Sequence, residues 1–155
     1  MMDDDFLLKV IGIRDNYSVS IKGDVYYVDA YPDEYGSCDI DLRELEIPAN
    51  VVFENEGDVH LQSLKTLPPG VEFKNGGSVD LRSSKTISPG VEFKNGGSVH
   101  LQSLKTIPPG VEFKNKGSVY LGSLIGGWID DWGGNIEGVD SKRLFNFTIS
   151  KGVFI

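Results

Sequence analysis

His60 and His100 are the only histidines in the chain, and Asp80 stands midway between them. Each of the three follows a valine and precedes a leucine, in Val59-His60-Leu61, Val79-Asp80-Leu81 and Val99-His100-Leu101. A His-Asp-His set is metal-ligand chemistry in type. If equivalent positions stack as neighbouring strands, though, the two imidazoles lie about 9–10 Å apart, too far for one ion. Asp39-x-Asp41 and Asp33-Glu34 supply carboxylates but lack the ligand spacing of a calcium loop. Cys38 is the only cysteine, so no disulfide forms within one chain, which fits a reducing compartment. No nucleophile–base arrangement, zinc-cysteine spacing or phosphate loop occurs. Clustered carboxylates of the kind that cleave sugars on solenoid scaffolds are too few on the repeat faces. The expectation is a non-enzymatic chain with no cofactor.

The elements that carry these side chains repeat every 20 residues. Val51–Gly70, Val71–Gly90, Val91–Gly110 and Val111 onward align without gaps, and the second and third units differ at four of twenty positions. The pattern is V-x-F-x-N-x-G-x-V-x-L-x-S-L-x-x-[IL]-x-P-G. A fainter unit, Ile40 to Pro48, fits if one residue is deleted. Apolar residues alternate in Val71, Phe73 and again in Val79, Leu81, the period of short strands with one buried face. Asn75-Gly76-Gly77 and Pro89-Gly90 between them are turn chemistry. One such unit cannot bury its own apolar face, so stacked units must share walls. The fold class is therefore mainly β: a single-domain solenoid of 20-residue coils. Residues 51–125 form the solenoid, 1–50 an acidic N-terminal cap and 126–155 a C-terminal cap.

Stacking dictates columns of like residues. Phe53, Phe73, Phe93 and Phe113 form an internal aromatic stack. Asn55, Asn75, Asn95 and Asn115 form an amide ladder, and Ser63, Ser83, Ser103 and Ser123 a hydroxyl column. Glu72, Glu92 and Glu112 stack like charges, which Lys74, Lys94 and Lys114 offset. Ser84 replaces a core leucine and should loosen its coil. For the N-terminal cap, Phe6–Ile13, Tyr17–Ile21 and Val25–Tyr31 read as a three-stranded meander. For the C-terminal cap, Ser141–Ser150 reads as a short helix with Asp140 or Ser141 as its cap, and Trp128 and Trp132 plug the solenoid mouth.

Two outward columns vary most between units: His60, Asp80, His100, Tyr120 and, beside it, Gln62, Arg82, Gln102, Gly122. A fixed scaffold with a variable face is the layout of repeat-protein recognition. The net charge is −8. Residues 1–50 hold 12 acidic against 4 basic side chains, a balance of −8, so the remainder is neutral in sum. That acid, Asp29, Asp33, Glu34, Asp39 and Asp41 among it, repels nucleic acid and attracts a protein with a basic surface. Met1-Met2-Asp3-Asp4-Asp5 carries acid where a secretory signal carries base, and no run of apolar residues is long enough to cross a bilayer. The expected setting is cytoplasmic, with no membrane and no direct nucleic-acid contact.

The stretch Leu104-Lys105-Thr106-Ile107-Pro108-Pro109-Gly110-Val111 resembles short bacterial leucine-rich repeats, although the usual L-x-L-x-x-N-x-L spacing is missing. The whole unit, with the tail Asn135 to Leu144, is similar to phage- and prophage-borne repeat proteins of unassigned activity, over residues 51–155. That resemblance implies a viral or mobile-element origin and carries over no catalytic residue. By analogy with small acidic phage proteins it implies an inhibitor of a host defence protein that handles nucleic acid, of the anti-restriction or anti-CRISPR type. A virion assembly component and a carbohydrate-binding solenoid are the alternatives.

Overall fold

Strands two or three residues long stack in parallel and in register, because side chains that recur every 20 residues meet their own kind in the next coil. The computed structural model describes residues 4–121, together with 126–129, 135–137, 147–149 and 153–154. Each coil has three faces. The first runs through Val51–Phe53, Glu72–Phe73, Glu92–Phe93 and Glu112–Phe113, paired so that Phe53, Phe73, Phe93 and Phe113 share one row. The second runs through Ile40–Asp41, Val59–His60, Val79–Asp80, Val99–His100 and Val119–Tyr120. The third carries Thr66–Leu67, Thr86–Ile87 and Thr106–Ile107.

The interior is the expected set of columns. The four phenylalanines are fully buried, their rings nearly parallel with centroids 5.1–5.2 Å apart. This spacing is slightly above the strand separation that stacking imposes. Around them Val59, Val79, Val99, Val119 and Leu61, Leu81, Leu101, Leu121 are fully buried. Outside the phenylalanines, Lys94 Nζ lies 3.1 Å from both Glu72 and Glu92, and Lys114 lies 3.4 Å from Glu112. The bonds to Glu92 and then Glu72 hold the Lys94 ammonium above its ordinary pKa. The like-charge column is thus neutralised by its neighbours.

The asparagine column differs from a side-chain ladder. Each amide nitrogen donates to backbone carbonyls of its own coil and the preceding one. Asn95 Nδ2, for instance, reaches Gly77 and Gly97 O at 3.1 Å and Ser98 O at 3.3 Å. All four amide oxygens are buried without a partner. The amide is used as a donor at a corner where the chain turns and leaves carbonyls pointing inward.

Glycine is needed at two places for different reasons. Gly70, Gly90 and Gly110 have φ of +75° to +82°, and Asn50 fills the same place one coil earlier at φ 60°; Asn tolerates the left-handed region better than other non-glycine residues. Gly57, Gly77, Gly97 and Gly117 instead lie where coils touch. A Cβ on Gly97 would sit 2.8 Å from Gly77 C and Ser78 N. Gly97→Ala is therefore expected to cost about 1–3 kcal/mol in urea unfolding, the usual penalty of overpacking. A Cβ on Gly96 would press still closer on the Gly76 carbonyl oxygen, so Gly96→Ala should cost at least as much, even though Lys116 and Glu56 carry a Cβ at the equivalent position of their coils.

The faint unit at Ile40 is a true coil. Ile40 pairs with Val59 and Asp41 with His60, a register of 19 and so one residue short. It begins with Val25–Ala30 (β2), which lies parallel to Val51–Phe53 and antiparallel to Tyr17–Lys22 (β1). The meander is corrected at its first element. Asp4–Ile13 is a helix, α1, rather than a strand over Phe6–Ile13. Phe6 and Val10, four apart, are its buried residues, and Phe6 meets Tyr26 edge-on at 5.2 Å. An acidic start favours a helix N-terminus, and the Asp5–Lys9 pair at 2.7 Å braces the first turns.

The tail continues the stacks. Gly126–Ile129 pairs in parallel with Thr106–Ile107 and with Phe147–Ile149 on the third face. Asn135–Glu137 pairs with Val119–Tyr120 and Val153–Phe154 on the second. The helix expected over Ser141–Ser150 does not extend across Phe147–Ile149, which is strand. Its proposed caps Asp140 and Ser141, the side chain of Trp128, and Trp132, Gly122 and Ser123 lie outside the described residues. Among the described residues no helix is long and apolar enough to cross a membrane.

Candidate recognition face

The variable columns lie on the outer side of the second face. Strand pairing sets Asp41 beside His60, His60 beside Asp80, Asp80 beside His100 and His100 beside Tyr120. Alternation within each strand turns the flanking valine and leucine inward and these side chains outward. The residue two positions on then lies alongside, and every pair with a described partner is engaged. Arg82 grips Asp80 through both guanidinium arms, Nε to Oδ1 at 2.9 Å and Nη2 to Oδ2 at 2.6 Å. Arg43 holds Asp41 in the same way, at 2.9 and 2.7 Å. Gln62 Nε2 lies 3.4 Å from His60 Nδ1, and Gln102 repeats this with His100. The His100 ring stacks on Tyr120, centroids 4.8 Å apart.

The coil that contains Asp41 gives the coil of Asp80 a counterpart. Asp-x-Arg, His-x-Gln, Asp-x-Arg and His-x-Gln alternate up the face, followed by Tyr120. Each carboxylate is neutralised by its own arginine in bidentate geometry, the most orientation-specific ion pair available to side chains. Burial pushes the Asp41 pKa up, but hydrogen bonds from the Arg43 guanidinium and backbone N–H outweigh it and hold the carboxyl below the usual range. These pairs are fixed, charged and partly exposed, which suits docking. A carboxylate held at both oxygens is poorly placed as a general base. Asp58, His60, Asp80, Arg82 and His100 border a shallow depression of about 210 Å³ on this face. Ser84, expected to loosen its coil, is fully buried and donates its hydroxyl to Leu64 O at 2.8 Å, so no polar atom is stranded.

The acidic residues divide in two. Asp33 is a turn residue: its Oδ1 accepts Ser37 N–H at 2.9 Å and Tyr35 N–H at 2.8 Å, and these bonds hold its pKa below the usual carboxylate range. Asp29 Oδ1 accepts Ala30 N–H at 2.7 Å. Asp39 belongs to a column that sequence reasoning missed. Asp39 Oδ1 accepts Asp58 N–H, Asp58 Oδ1 accepts Ser78 N–H, and the hydroxyls of Ser78 and Ser98 do the same for the next coils. Glu34, Glu44 and Glu46 are exposed and leave acid on the outside of the first coil, next to Asp41. Cys38 is buried and burial pushes its thiol pKa up, which makes it a weak nucleophile.

No family model, curated protein or solved structure matches this chain.

Proposed function

We propose that this chain is a non-enzymatic binding protein that docks a partner protein with a basic surface through the outer columns of the second face and the acidic coil below them. One observation carries the reading. Five outward side chains vary in chemistry on a scaffold whose inward apolar columns, Ser84 apart, stay apolar, and Asp41 joins that column to the acidic coil. A rigid array of alternating charged and neutral pairs recognises a partner without first having to be ordered. The resemblance to phage-borne repeats extends this reading to a host defence protein that handles nucleic acid. Its phosphate-binding groove would receive Glu34, Glu44 and Glu46 in place of phosphates.

The partner is to be isolated from a host lysate by affinity capture, and its binding to the purified chain then measured. Affinity is expected to fall as salt rises, because the first coil contributes screened charge. Replacing both Asp80 and Arg82 with Ala should weaken binding about 30-fold, the roughly 2 kcal/mol of an interface hot spot. An affinity that ignores both salt and the double substitution rules out this face as the contact.

A further inference from the structure

One part of the column of side chains bonded to backbone N–H groups is built from more charge than that role needs. Asp39, Asp58 and His60 each offer one donor atom, and the three lie within 4.8 Å of one another. Asp58 directly precedes the strand Val59–His60 that carries the imidazole, and Asp39 is the equivalent of Asp58 in the coil beneath. Each carboxylate accepts one backbone N–H through Oδ1, at 2.8 Å for Asp39 and 2.7 Å for Asp58. In the next coils Ser78 and Ser98 accept the same N–H groups with neutral hydroxyls, at 3.1 and 3.2 Å. The hydrogen-bond column therefore does not require carboxylates. Neither Asp39 nor Asp58 forms an ion pair with a lysine or arginine among the described residues. Two neighbouring anions without a counter-charge repel each other.

A second observation concerns Gln62. Its Oε1 is buried without a partner, while its Nε2 lies 3.4 Å from His60 Nδ1. With the amide turned over, Oε1 accepts a proton on Nδ1, and the Nε2 lone pair of the imidazole is left for a cation. A metal-ligating histidine is normally held by just such an acceptor on its other ring nitrogen. Asp58 and His60 also border the depression on the second face, which gives an ion a path from solvent.

We propose that Asp39, Asp58 and His60 form a binding site for a divalent transition-metal ion, with zinc the best fit. Two carboxylates balance its charge, and the imidazole selects against calcium and magnesium, which take oxygen ligands. Side-chain rotation closes the donors to the roughly 3.3 Å separation that bonds of about 2.0–2.2 Å require. Three protein ligands leave further coordination positions open. His100 is the internal control. It has the same strand position and the same glutamine two residues on, but Ser78 and Ser98 stand where Asp39 and Asp58 flank His60.

The full chain is titrated with Zn²⁺ against a chromophoric chelator. One tight equivalent is expected. D58N and H60Q should each weaken it at least about 10-fold, while H100Q leaves it unchanged. S78D combined with S98D gives His100 the surroundings of His60 and should raise the stoichiometry to two. Zn²⁺ should also raise the thermal midpoint of the wild type and not that of H60Q, since an ion bound only by the folded state stabilises it. Absence of uptake by the wild type, or uptake that D58N and H60Q leave intact, overturns the site. Displacement of Zn²⁺ by equimolar Ca²⁺ overturns the choice of a transition metal.

Discussion

Phe93→Ala is expected to lower the stability of the chain by about 3–5 kcal/mol, the range for removing a buried aromatic side chain. The position is closed on both sides along the column, as is that of Phe73. Phe93 is fully buried and lies between Phe73 and Phe113, with ring centroids 5.1 Å away on each side. Its removal leaves a gap in the middle of a column, and the two neighbouring rings cannot both slide in because each is fixed by its own coil's strand pairing. Equilibrium urea unfolding measures the loss. The exposed Leu8 on α1 provides the comparison, since Leu8→Ala should change stability by less than about 0.5 kcal/mol. A loss at Phe93 as small as that at Leu8 would mean that the aromatic column does not hold the coils together. The broken column also separates two ways a solenoid can respond. If coils unfold independently, the transition should split in the variant; if they are strongly coupled, it should shift as one.

What the sequence made legible follows from what repetition encodes. Identical residues at a 20-residue interval announce identical environments, so the phenylalanine, valine, leucine and glycine columns could be placed before any coordinates. Even the register of 19 at Ile40 was visible as a missing residue. Reading failed where one structural role is filled by different residue types. The column Asp39, Asp58, Ser78, Ser98 accepts a backbone N–H at every level, but aspartate and serine share no obvious label except an oxygen acceptor close to the main chain. Its signal was the small polar residue directly after the invariant glycine in Gly57-Asp58, Gly77-Ser78 and Gly97-Ser98. The serines at 63, 83 and 103, which look the more regular column, have exposed or half-buried positions instead.

The first helix was missed because Phe6, Leu8 and Val10 alternate as a strand does, while Phe6 and Val10 also stand one helical turn apart. Eight residues do not separate the two periods. What decides between them is tertiary: β1 covers the edge of the first face, and a helix remains to close the end of the core. In the tail the 20-residue interval survives in the backbone pairing of the third face, with Gly127 opposite Phe147, but shortens on the second, where Ile136 lies opposite Val119 and Val153 opposite Asn135, after the side-chain consensus has gone. Pattern matching on residue types could not follow it there. On the second face the columns were legible and the pairing within them was not. Asp80 with Arg82 departs from the histidine–glutamine pattern, and its counterpart, Asp41 with Arg43, lies in the coil whose repeat consensus is faintest.

The second large effect tests the asparagine corner. Asn95→Asp changes one NH₂ to oxygen and leaves the shape nearly intact. It places a carboxylate among the carbonyl oxygens of Gly77, Gly97 and Ser98, which the amide had satisfied as a donor. Asn95 is fully buried, so water does not screen the new charge. At neutral pH the expected loss is about 3–5 kcal/mol, that of an uncompensated buried charge. The sign of its pH dependence follows from the surroundings. Carbonyl oxygens and burial both disfavour the ionised form, so the new carboxyl has a higher pKa in the folded chain than in the unfolded one. The penalty is then smallest when the group is protonated in both states, and it grows as pH rises through the folded-state value. Urea unfolding of the variant and the wild type at pH 4 and pH 7 should show the gap between them narrowing in acid. Asn95→Ala removes the amide's bonds without adding charge, and because Gly77, Gly97 and Ser98 O each keep a backbone N–H donor, it should lose only about 1–3 kcal/mol at both pH values. An Asp variant whose loss is the same at pH 4 and pH 7 would mean that its carboxylate reaches water, and that this corner is open where the packing closes it.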